Sequence, residues 1–198
     1  MNFLAHLHLS GDNNHVKIGN FIGDAVKGKS YQKFAPDIQK GILLHRKIDY
    51  FTDRHEITKK LSKLFVSEYG KYSGIVVDII YDYYLANNWS NYSNILLERF
   101  ISDTYSLLML NFRILPTKIK KFLPFLIGKN RLLSYRNING IESVLNIMPK
   151  HTTLPSASEF AISVLQDNNE LIKENFLLFY DELNQFAKIE LEKIYILD

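Results

Sequence analysis

The chain has 198 residues, which is long enough for one domain with a sizeable hydrophobic core. Hydrophobic residues make up 46% of the chain and charged residues 23%, which is an ordinary composition for a globular protein. The net charge of +3 is too small to predict a nucleic-acid partner. There are no cysteines, which excludes disulfide bonds and thiolate metal ligands, so any metal ion would need His, Asp or Glu.

The N-terminal segment "MNFLAHLHL" is apolar but contains two histidines, and it lacks the basic region of a signal peptide. As a helix it would turn His6 and His8 to nearly opposite sides, whereas an extended segment would let both reach one site. No apolar run in the chain is long enough to span a membrane. We therefore expect a cytoplasmic protein with no membrane partner.

Helical periodicity dominates the rest of the chain, and no alternating segments predict paired strands. Capping residues at 12–14 begin a predicted helix that closes at Gly28, and Pro36 begins a second one that runs to Arg54. Further helices are predicted over 56–69, 73–88, 92–113 and 168–195. Prolines at 116 and 124 and glycines at 128 and 140 predict short helices between them, before a loop at "MPKHTTLPS". The expected fold is an all-α, single-domain helical bundle over residues 1–198.

Two of these helices carry chemically active side chains at a spacing of four residues. In the helix from Pro36, His45, Asp49 and Asp53 lie along one side. In "GIVVDIIYDYYLA" the only charges are Asp78 and Asp82, with no lysine or arginine nearby. A buried carboxylate is costly unless it is paired or bound to a metal ion, so we interpret both sets as candidate metal ligands. The alternatives are a solvated polar face for the first set and a tyrosine hydroxyl as partner for the second.

Histidine and aspartate together favour Mn²⁺, Mg²⁺ or Fe²⁺, with Zn²⁺ as an alternative. Asp24, which follows an apolar helical segment beside Gly23, is a weaker candidate for the same site. Such metal ions polarise phosphoryl oxygens, so the pattern favours metal-assisted phosphoester hydrolysis. The sequence has no glycine-rich phosphate loop and no nucleophile elbow.

Four blocks, "MNFLAHLHL", "GNFIGDAVKG", "GILLHRKIDYFTD" and "VVDIIYDYYLANNW", resemble the acyl carrier protein phosphodiesterase family, as do the later "SYRNINGIESVLNIM" and "FLLFYDEL". The resemblance implies a helical bundle related to the HD-type phosphohydrolases. It also implies a Mn²⁺- or Mg²⁺-dependent hydrolysis that removes 4′-phosphopantetheine from the serine of holo-acyl carrier protein, and hence a role in fatty acid biosynthesis and lipid metabolism. The matched site positions are His6, Asp24, His45, Asp49, Asp53, Asp78 and Asp82. We expect the metal ligands to come from Asp24, His45, Asp49, Asp78 and Asp82, and the catalytic residues from His6, Asp24, His45, Arg46 and Asp82.

Position 83 departs from the family pattern. The family usually has Asp-His-Phe-Leu where this chain has "DYYL", so Tyr83 replaces a histidine. A phenol is a poorer metal ligand and proton donor than an imidazole, and we expect Tyr83 to limit turnover rather than folding. The substitution favours one alternative, a non-catalytic homologue that binds carrier protein. A separate alternative is an HD-type hydrolase of a nucleotide or another small phosphoester.

Basic residues are concentrated between positions 113 and 136, where the chain has no acidic residue. The apolar residues at 119, 122, 123 and 125–127 are interspersed with them. Because the resemblance implies a strongly acidic carrier protein as partner, this stretch predicts a docking surface. The predicted substrate-binding residues are Lys118, Lys120 and Lys121 for the carrier protein, and Arg46 and Lys47 for the phosphate. The alternative for all of them is a solvated surface.

Overall fold

The computed structural model describes residues 1–196, with side chains described up to residue 194, and this range contains helices and no strand. The first half comprises α1 (Phe3–His8), α2 (Asn14–Ile22), α3 (Pro36–Arg54), α4 (Glu56–Ser62), α5 (Val66–Tyr69), α6 (Ser73–Asn87) and α7 (Leu97–Leu110). The second half comprises α8 (Thr117–Gly128), α9 (Arg131–Ser134), α10 (Ile138–Ile147), α11 (Ser158–Asp167) and α12 (Asn169–Ile196). The prediction of an all-α fold is confirmed, and the single-domain assignment over 1–198 stays a prediction.

Several predicted helix boundaries are wrong. The helix predicted to close at Gly28 ends at Ile22, because residues 23–25 wind into a 3-10 turn and the chain is extended at residue 26. The helix predicted over 56–69 is interrupted by a 3-10 turn at 63–65. The helix predicted from residue 92 begins at Leu97, because the Trp89 indole donates to the carbonyl oxygen of Ile95 and holds a turn there. Pro124 lies inside α8 on an exposed face, where water can replace the hydrogen bond that proline cannot donate.

Helices α2 and α3 pack closely through two glycines. A methyl group on Gly19 would lie 2.1 Å from the carbonyl oxygen of Ile38, and one on Gly41 would lie 2.1 Å from that of Val16. The two backbones are therefore nearer to each other than larger residues would permit. This close approach brings the C-terminal turn of α2 against the face of α3 that carries His45.

The buried apolar residues form one cluster that runs from Met1 to Ala187. Tyr81 of α6 stacks on Phe179 of α12 with ring centroids 4.7 Å apart, and the rings of Phe176 and Tyr180 extend this contact. Helix α1 has six residues, which is too short to be stable alone, so tertiary contacts must hold it. None of the helices in the described range is long and apolar enough to cross a membrane.

Candidate metal centre

The carboxylate of Asp82 holds the first turn of α1 against α6. Its Oδ2 accepts the backbone N–H of Leu4 at 2.8 Å, and its Oδ1 accepts the backbone N–H of Ala5 at 3.0 Å. Burial raises the pKa of Asp82 to about 7, although these two donors favour the ionised form. The contact satisfies two N–H groups that lack partners within α1, and it fixes the helix that carries His6.

Two histidines from different helices share one carboxylate. The rings of His6 in α1 and His45 in α3 stack with centroids 3.9 Å apart. The Nε2 of His6 lies 3.1 Å from Asp49 Oδ1, and the Nε2 of His45 lies 3.1 Å from Asp49 Oδ2. One ligand atom from each residue lies within 4.8 Å of the others, so this group could hold a metal ion. Asp24, with a side chain that is 73% exposed, lies 3.6 Å from Nε2 of His45 on the solvent side.

Asn20, fully buried in α2, orients both imidazoles. Its amide nitrogen donates to the main-chain oxygen of His6 at 2.8 Å and to Ser10 Oγ at 2.9 Å, so its Oδ1 must accept from His6 Nδ1 at 2.8 Å. Its main-chain oxygen accepts from His45 Nδ1, also at 2.8 Å. With Nδ1 protonated in each ring, each Nε2 faces Asp49, where it can donate a proton to the carboxylate or, once deprotonated, bind a cation. Histidines that bind metal ions are oriented in the same way by a partner on the other ring nitrogen.

The donor atoms fit a divalent cation. The buried Nε2 of His45 makes no hydrogen bond of good geometry with the residues that the structure describes, although it faces the carboxylates of Asp49 at 3.1 Å and Asp24 at 3.6 Å. When this imidazole is neutral, its Nε2 lone pair and the carboxylate oxygens beside it can bind one divalent cation together. Two imidazoles and one or two carboxylates are a ligand set typical of Mn²⁺, Fe²⁺ or Zn²⁺, whereas Mg²⁺ prefers oxygen ligands alone.

The charges of the group depend on one another. Burial disfavours a charged imidazole at His45, but Asp24 and Asp49 outweigh it and raise the pKa of His45 to about 9. Burial and the adjacent His45 lower the pKa of His6 to about 4. Burial opposes ionisation of Asp49, yet its contacts with His45 and His6 hold the pKa of that carboxyl well below its usual range. A cation and a proton compete for the same lone pair on His45, so cation binding would release a proton.

The other three carboxylates that the sequence singled out, those of Asp53, Asp78 and Asp82, lie outside the group of His6, His45 and Asp49. Asp78 adjoins the group through the amino group of Met1, which lies 3.3 Å from Asp78 Oδ2 and 3.5 Å from Asp49 Oδ1. Burial raises the pKa of Asp78 to about 6. Asp53 is exposed one turn beyond Asp49. Both oxygens of Asp82 accept backbone hydrogen bonds, so its contacts favour a structural role over the predicted metal ligation.

Arg46 and Lys47, predicted to bind phosphate, have structural contacts instead. The Nη2 of Arg46 donates to the carbonyl oxygens of Val26 at 3.0 Å and Gly28 at 2.8 Å, which closes the turn that follows Asp24. Lys47 forms an ion pair with Glu190 of α12. These contacts hold the chain around the site, so we assign both side chains a structural role.

Tyr83, at the position where the family has a histidine, contacts its neighbour in α6. Its ring packs edge-on against Tyr84 with centroids 5.0 Å apart, and it is only partly buried. Its contacts therefore give no support to the expectation that this substitution limits turnover.

Sequence reasoning missed the role of Asn20 and the partner of Gly23. A methyl group on Gly23 would lie 2.3 Å from Cγ of His45, so glycine leaves room for the imidazole. The glycines at 19 and 23 predict close packing, but the sequence alone does not identify the residues that pack against them. A single asparagine in a helix carries no signal at all, because its partners come from other segments.

The predicted docking surface is basic, but its apolar part differs from the prediction. Lys118 and Lys121 are exposed, and Lys120 donates to the carbonyl oxygen of Arg113 at 2.8 Å. Of the apolar residues predicted to be interspersed with these lysines, three are buried in the core: Ile119, Leu123 and Leu126. The exposed apolar side chains come instead from the end of α7 and the turn after it: Met109, Leu110, Phe112 and Ile114.

The fold and the site define an all-α protein with a candidate metal centre of two histidines and a carboxylate. The chain matches the family described as "Acyl carrier protein phosphodiesterase" over residues 1–183. Acyl carrier protein phosphodiesterase of Yersinia pestis is 27% identical over 95% of this chain and 98% of its own length. The proteins of that name from Photorhabdus laumondii and Escherichia coli are each 30% identical, over 95% and 92% of this chain and 96% and 95% of their own lengths. No solved structure matches the chain.

The chain belongs to the acyl carrier protein phosphodiesterase family, whose members are hydrolases of phosphodiester bonds. The predicted family is thereby confirmed, while its relation to the HD-type phosphohydrolases stays a prediction.

Proposed function

We propose that this protein is a metal-dependent hydrolase that removes 4′-phosphopantetheine from the serine of holo-acyl carrier protein. The observation that carries the proposal is the pair of Nε2 atoms of His6 and His45, both oriented toward Asp49 in a member of this family. The proposed setting is the cytoplasm and the acyl carrier proteins of fatty acid biosynthesis and lipid metabolism.

The proposed cofactor is Mn²⁺, with Mg²⁺ as the alternative. His6, His45 and Asp49 would hold the ion, and the neighbouring carboxylates of Asp24 and Asp78 are the proposed additional ligands. Bound there, a divalent cation supplies Lewis-acid chemistry that polarises the phosphoryl group and activates water. The mixed nitrogen and oxygen donors favour Mn²⁺ over Mg²⁺.

In the proposed reaction, water attacks phosphorus and the bond between phosphorus and the serine oxygen breaks. The products are the free serine hydroxyl and 4′-phosphopantetheine. Asp24 is the most exposed member of the site, so we place the entering phosphodiester beside it. Its contact with His45 holds the pKa of Asp24 below its usual value, so the carboxylate is ionised at neutral pH and can accept a hydrogen bond from the attacking water.

Asp82 and Asn20 are proposed as positioning residues. Asp82 holds α1 in place and therefore positions the backbone of His6. Asn20 fixes the ring of His6 through its side-chain oxygen and the ring of His45 through its main-chain oxygen. The predicted catalytic role of Asp82 thus becomes an indirect one, exerted through His6.

The α7–α8 surface is the proposed docking site for the carrier protein. We define it by Leu110, Phe112, Ile114, Lys118 and Lys121, with Lys120 between them. Leu110 is 86% exposed, and exposed apolar side chains beside lysines suit an acidic partner that also buries apolar area. Helix α8 contacts the helix that carries His6, because Phe122 of α8 stacks on Phe3 of α1 with ring centroids 5.5 Å apart.

The hydrolysis is tested by incubating holo-acyl carrier protein with the enzyme and Mn²⁺ and following the loss of phosphopantetheine by mass spectrometry. We expect Asp49→Asn and His45→Gln to lose both Mn²⁺ binding and turnover. His8→Gln is the matched control, because His8 is a largely buried histidine that contacts Tyr180 and Tyr92 instead of the site.

Full turnover in Asp49→Asn and His45→Gln, or in the presence of a chelator, would reject the proposal. A parallel assay with nucleotides and small phosphodiesters tests the alternative of a small-phosphoester hydrolase. The alternative of a non-catalytic homologue depended on Tyr83, and it predicts carrier-protein binding without any release of phosphopantetheine.

Docking is tested by reversing the charge of three lysines of the α7–α8 surface, Lys118, Lys120 and Lys121, to Glu. We expect weaker binding of holo-acyl carrier protein and a flatter dependence on ionic strength, while cleavage of a small model phosphodiester continues. The control reverses three lysines on α4 and the turn after it, Lys59, Lys60 and Lys63, with the same change in net charge. Equal binding by the two triple variants at low salt would place the docking site elsewhere.

A further inference from the structure

A pocket of about 630 Å³ lies where α8, α9 and α10 meet. Its polar lining includes Lys129, Arg131, Asn137, Asn139 and Ser143, and Phe125 and Ile147 provide apolar walls. None of the described residues that line it is acidic. Two positive charges and several hydrogen-bond donors therefore line a pocket to which the described part of the chain contributes no carboxylate.

Arg131 is buried in the wall of this pocket, and none of the described residues is its counter-ion. The residue is 7% exposed, its Nη1 donates to Ser143 Oγ at 3.0 Å, and its guanidinium lies 4.5 Å from the centroid of the Phe125 ring. Its Nε has no hydrogen-bond partner, and its guanidinium forms no ion pair, among the residues that the structure describes. Burying an unpaired charge is costly, so an anion in the pocket would stabilise this arrangement.

Helix α10 begins in the same pocket. Asn137 stands at its N-cap without a capping hydrogen bond, and the first turn contains no acidic residue. The N–H groups of Gly140 and Ile141 donate to the carbonyl oxygen of Asn137. The positive end of the helix dipole and the N–H groups that precede Gly140 in α10 therefore attract an anion. Lys129 is exposed and adds a second full charge to the pocket.

We propose that this pocket binds the phosphate group of a small organic phosphate monoester. A guanidinium, an ammonium and a helix N-terminus together offer donors from several directions, which suits a tetrahedral dianion better than a planar carboxylate. The volume exceeds what one phosphate occupies, and Phe125 and Ile147 leave an apolar wall for the organic part of the ligand. Inorganic phosphate shares the charged group and serves as the first probe.

The test measures binding of inorganic phosphate and of phenyl phosphate by calorimetry, with metal ions removed by a chelator. Asn139→Asp puts a negative charge into the pocket, and we expect phosphate binding to weaken by about tenfold or more. The same change places an acid in the first turn of α10, where it favours the helix, so the variant should remain folded. Lys129→Gln should also weaken binding, whereas Lys63→Gln on the exposed turn after α4 should not.

Phenyl phosphate is expected to bind more tightly than inorganic phosphate, because its ring can contact the apolar wall of the pocket. Equal binding of the two would reject the proposal that the pocket also binds the organic group of a phosphate monoester. Asp49→Asn should keep phosphate binding, because the histidine group is separate from this pocket. Loss of binding in Asp49→Asn with normal binding in Asn139→Asp would place the phosphate at the histidines and overturn the proposal. So would an absence of phosphate binding by the parent protein. Hydrolysis of holo-acyl carrier protein is measured separately, so either proposal can fail alone.

Discussion

Replacing Asn20 by alanine would remove the side chain that orients His6. The substitution breaks three hydrogen bonds of the buried amide, to His6 Nδ1, the His6 carbonyl and Ser10 Oγ. The carbonyl of His6 keeps a partner, because Ser10 Oγ also donates to it at 2.7 Å. The imidazole N–H of His6 is the one group left buried without an acceptor.

One orphaned buried donor costs about 1–3 kcal/mol, and the other lost hydrogen bonds add roughly 1 kcal/mol. We therefore expect Asn20→Ala to lower the free energy of unfolding by about 2–4 kcal/mol. Once its Nδ1–H has no acceptor, His6 can rotate or change tautomer, and the loss of such a partner typically weakens metal binding by about 10–100-fold. His45 should be unaffected, since its partner is the main-chain oxygen of residue 20.

Urea denaturation measures the stability change, and calorimetry with Mn²⁺ measures the affinity. Ser10→Ala is the matched control, because this buried hydroxyl bonds to Asn20 and to the His6 carbonyl but does not touch the imidazole. We expect the control to lose about 1–2 kcal/mol of stability and to keep its Mn²⁺ affinity. A folded Asn20→Ala protein with the Mn²⁺ affinity of the parent would refute the reasoning.

Three further predictions concern neighbouring positions. Gly23→Ala should push the ring of His45 aside, weaken Mn²⁺ binding by about tenfold or more, and cost about 1–3 kcal/mol of stability. Asp82→Ala should cost about 2–5 kcal/mol by leaving two N–H groups of α1 unpaired, whereas Asp82→Asn should lose less stability and keep its Mn²⁺ affinity. Burial lowers the pKa of His8 to about 4 from 6.5, so folding stability should fall as the pH drops from 6.5 to about 4, and His8→Gln should reduce that fall.

Calorimetry and denaturation at several pH values check these three predictions. Parent-like Mn²⁺ affinity in Gly23→Ala would mean that His45 can move without consequence. Loss of Mn²⁺ binding by a folded Asp82→Asn protein would restore Asp82 as a ligand. An unchanged pH profile in His8→Gln would show that other groups control stability in acid.

Local pattern was enough to predict much of the fold. The apolar periodicity of residues 36–54 and 73–87 predicted α3 and α6, because helical spacing is a property of neighbouring residues. The same spacing placed His45 and Asp49 on one side of α3, where they are found in contact. The boundaries that failed depended on distant partners or on local turns, such as the indole of Trp89 that delays the start of α7.

The sequence by itself determined the residue types and the helices that carry them, and the matched motifs identified the family. Only the tertiary structure decided which candidates meet. It placed His6 beside Asp49, which is 43 positions away in the chain. It also placed the carboxylate of Asp82 where it accepts hydrogen bonds from two N–H groups at the N-terminus of α1. Equal spacing made Asp49 and Asp82 look alike in the sequence. They differ because helix packing sets one against two imidazoles and the other against two backbone N–H groups, and spacing along a single helix contains no information about its neighbours.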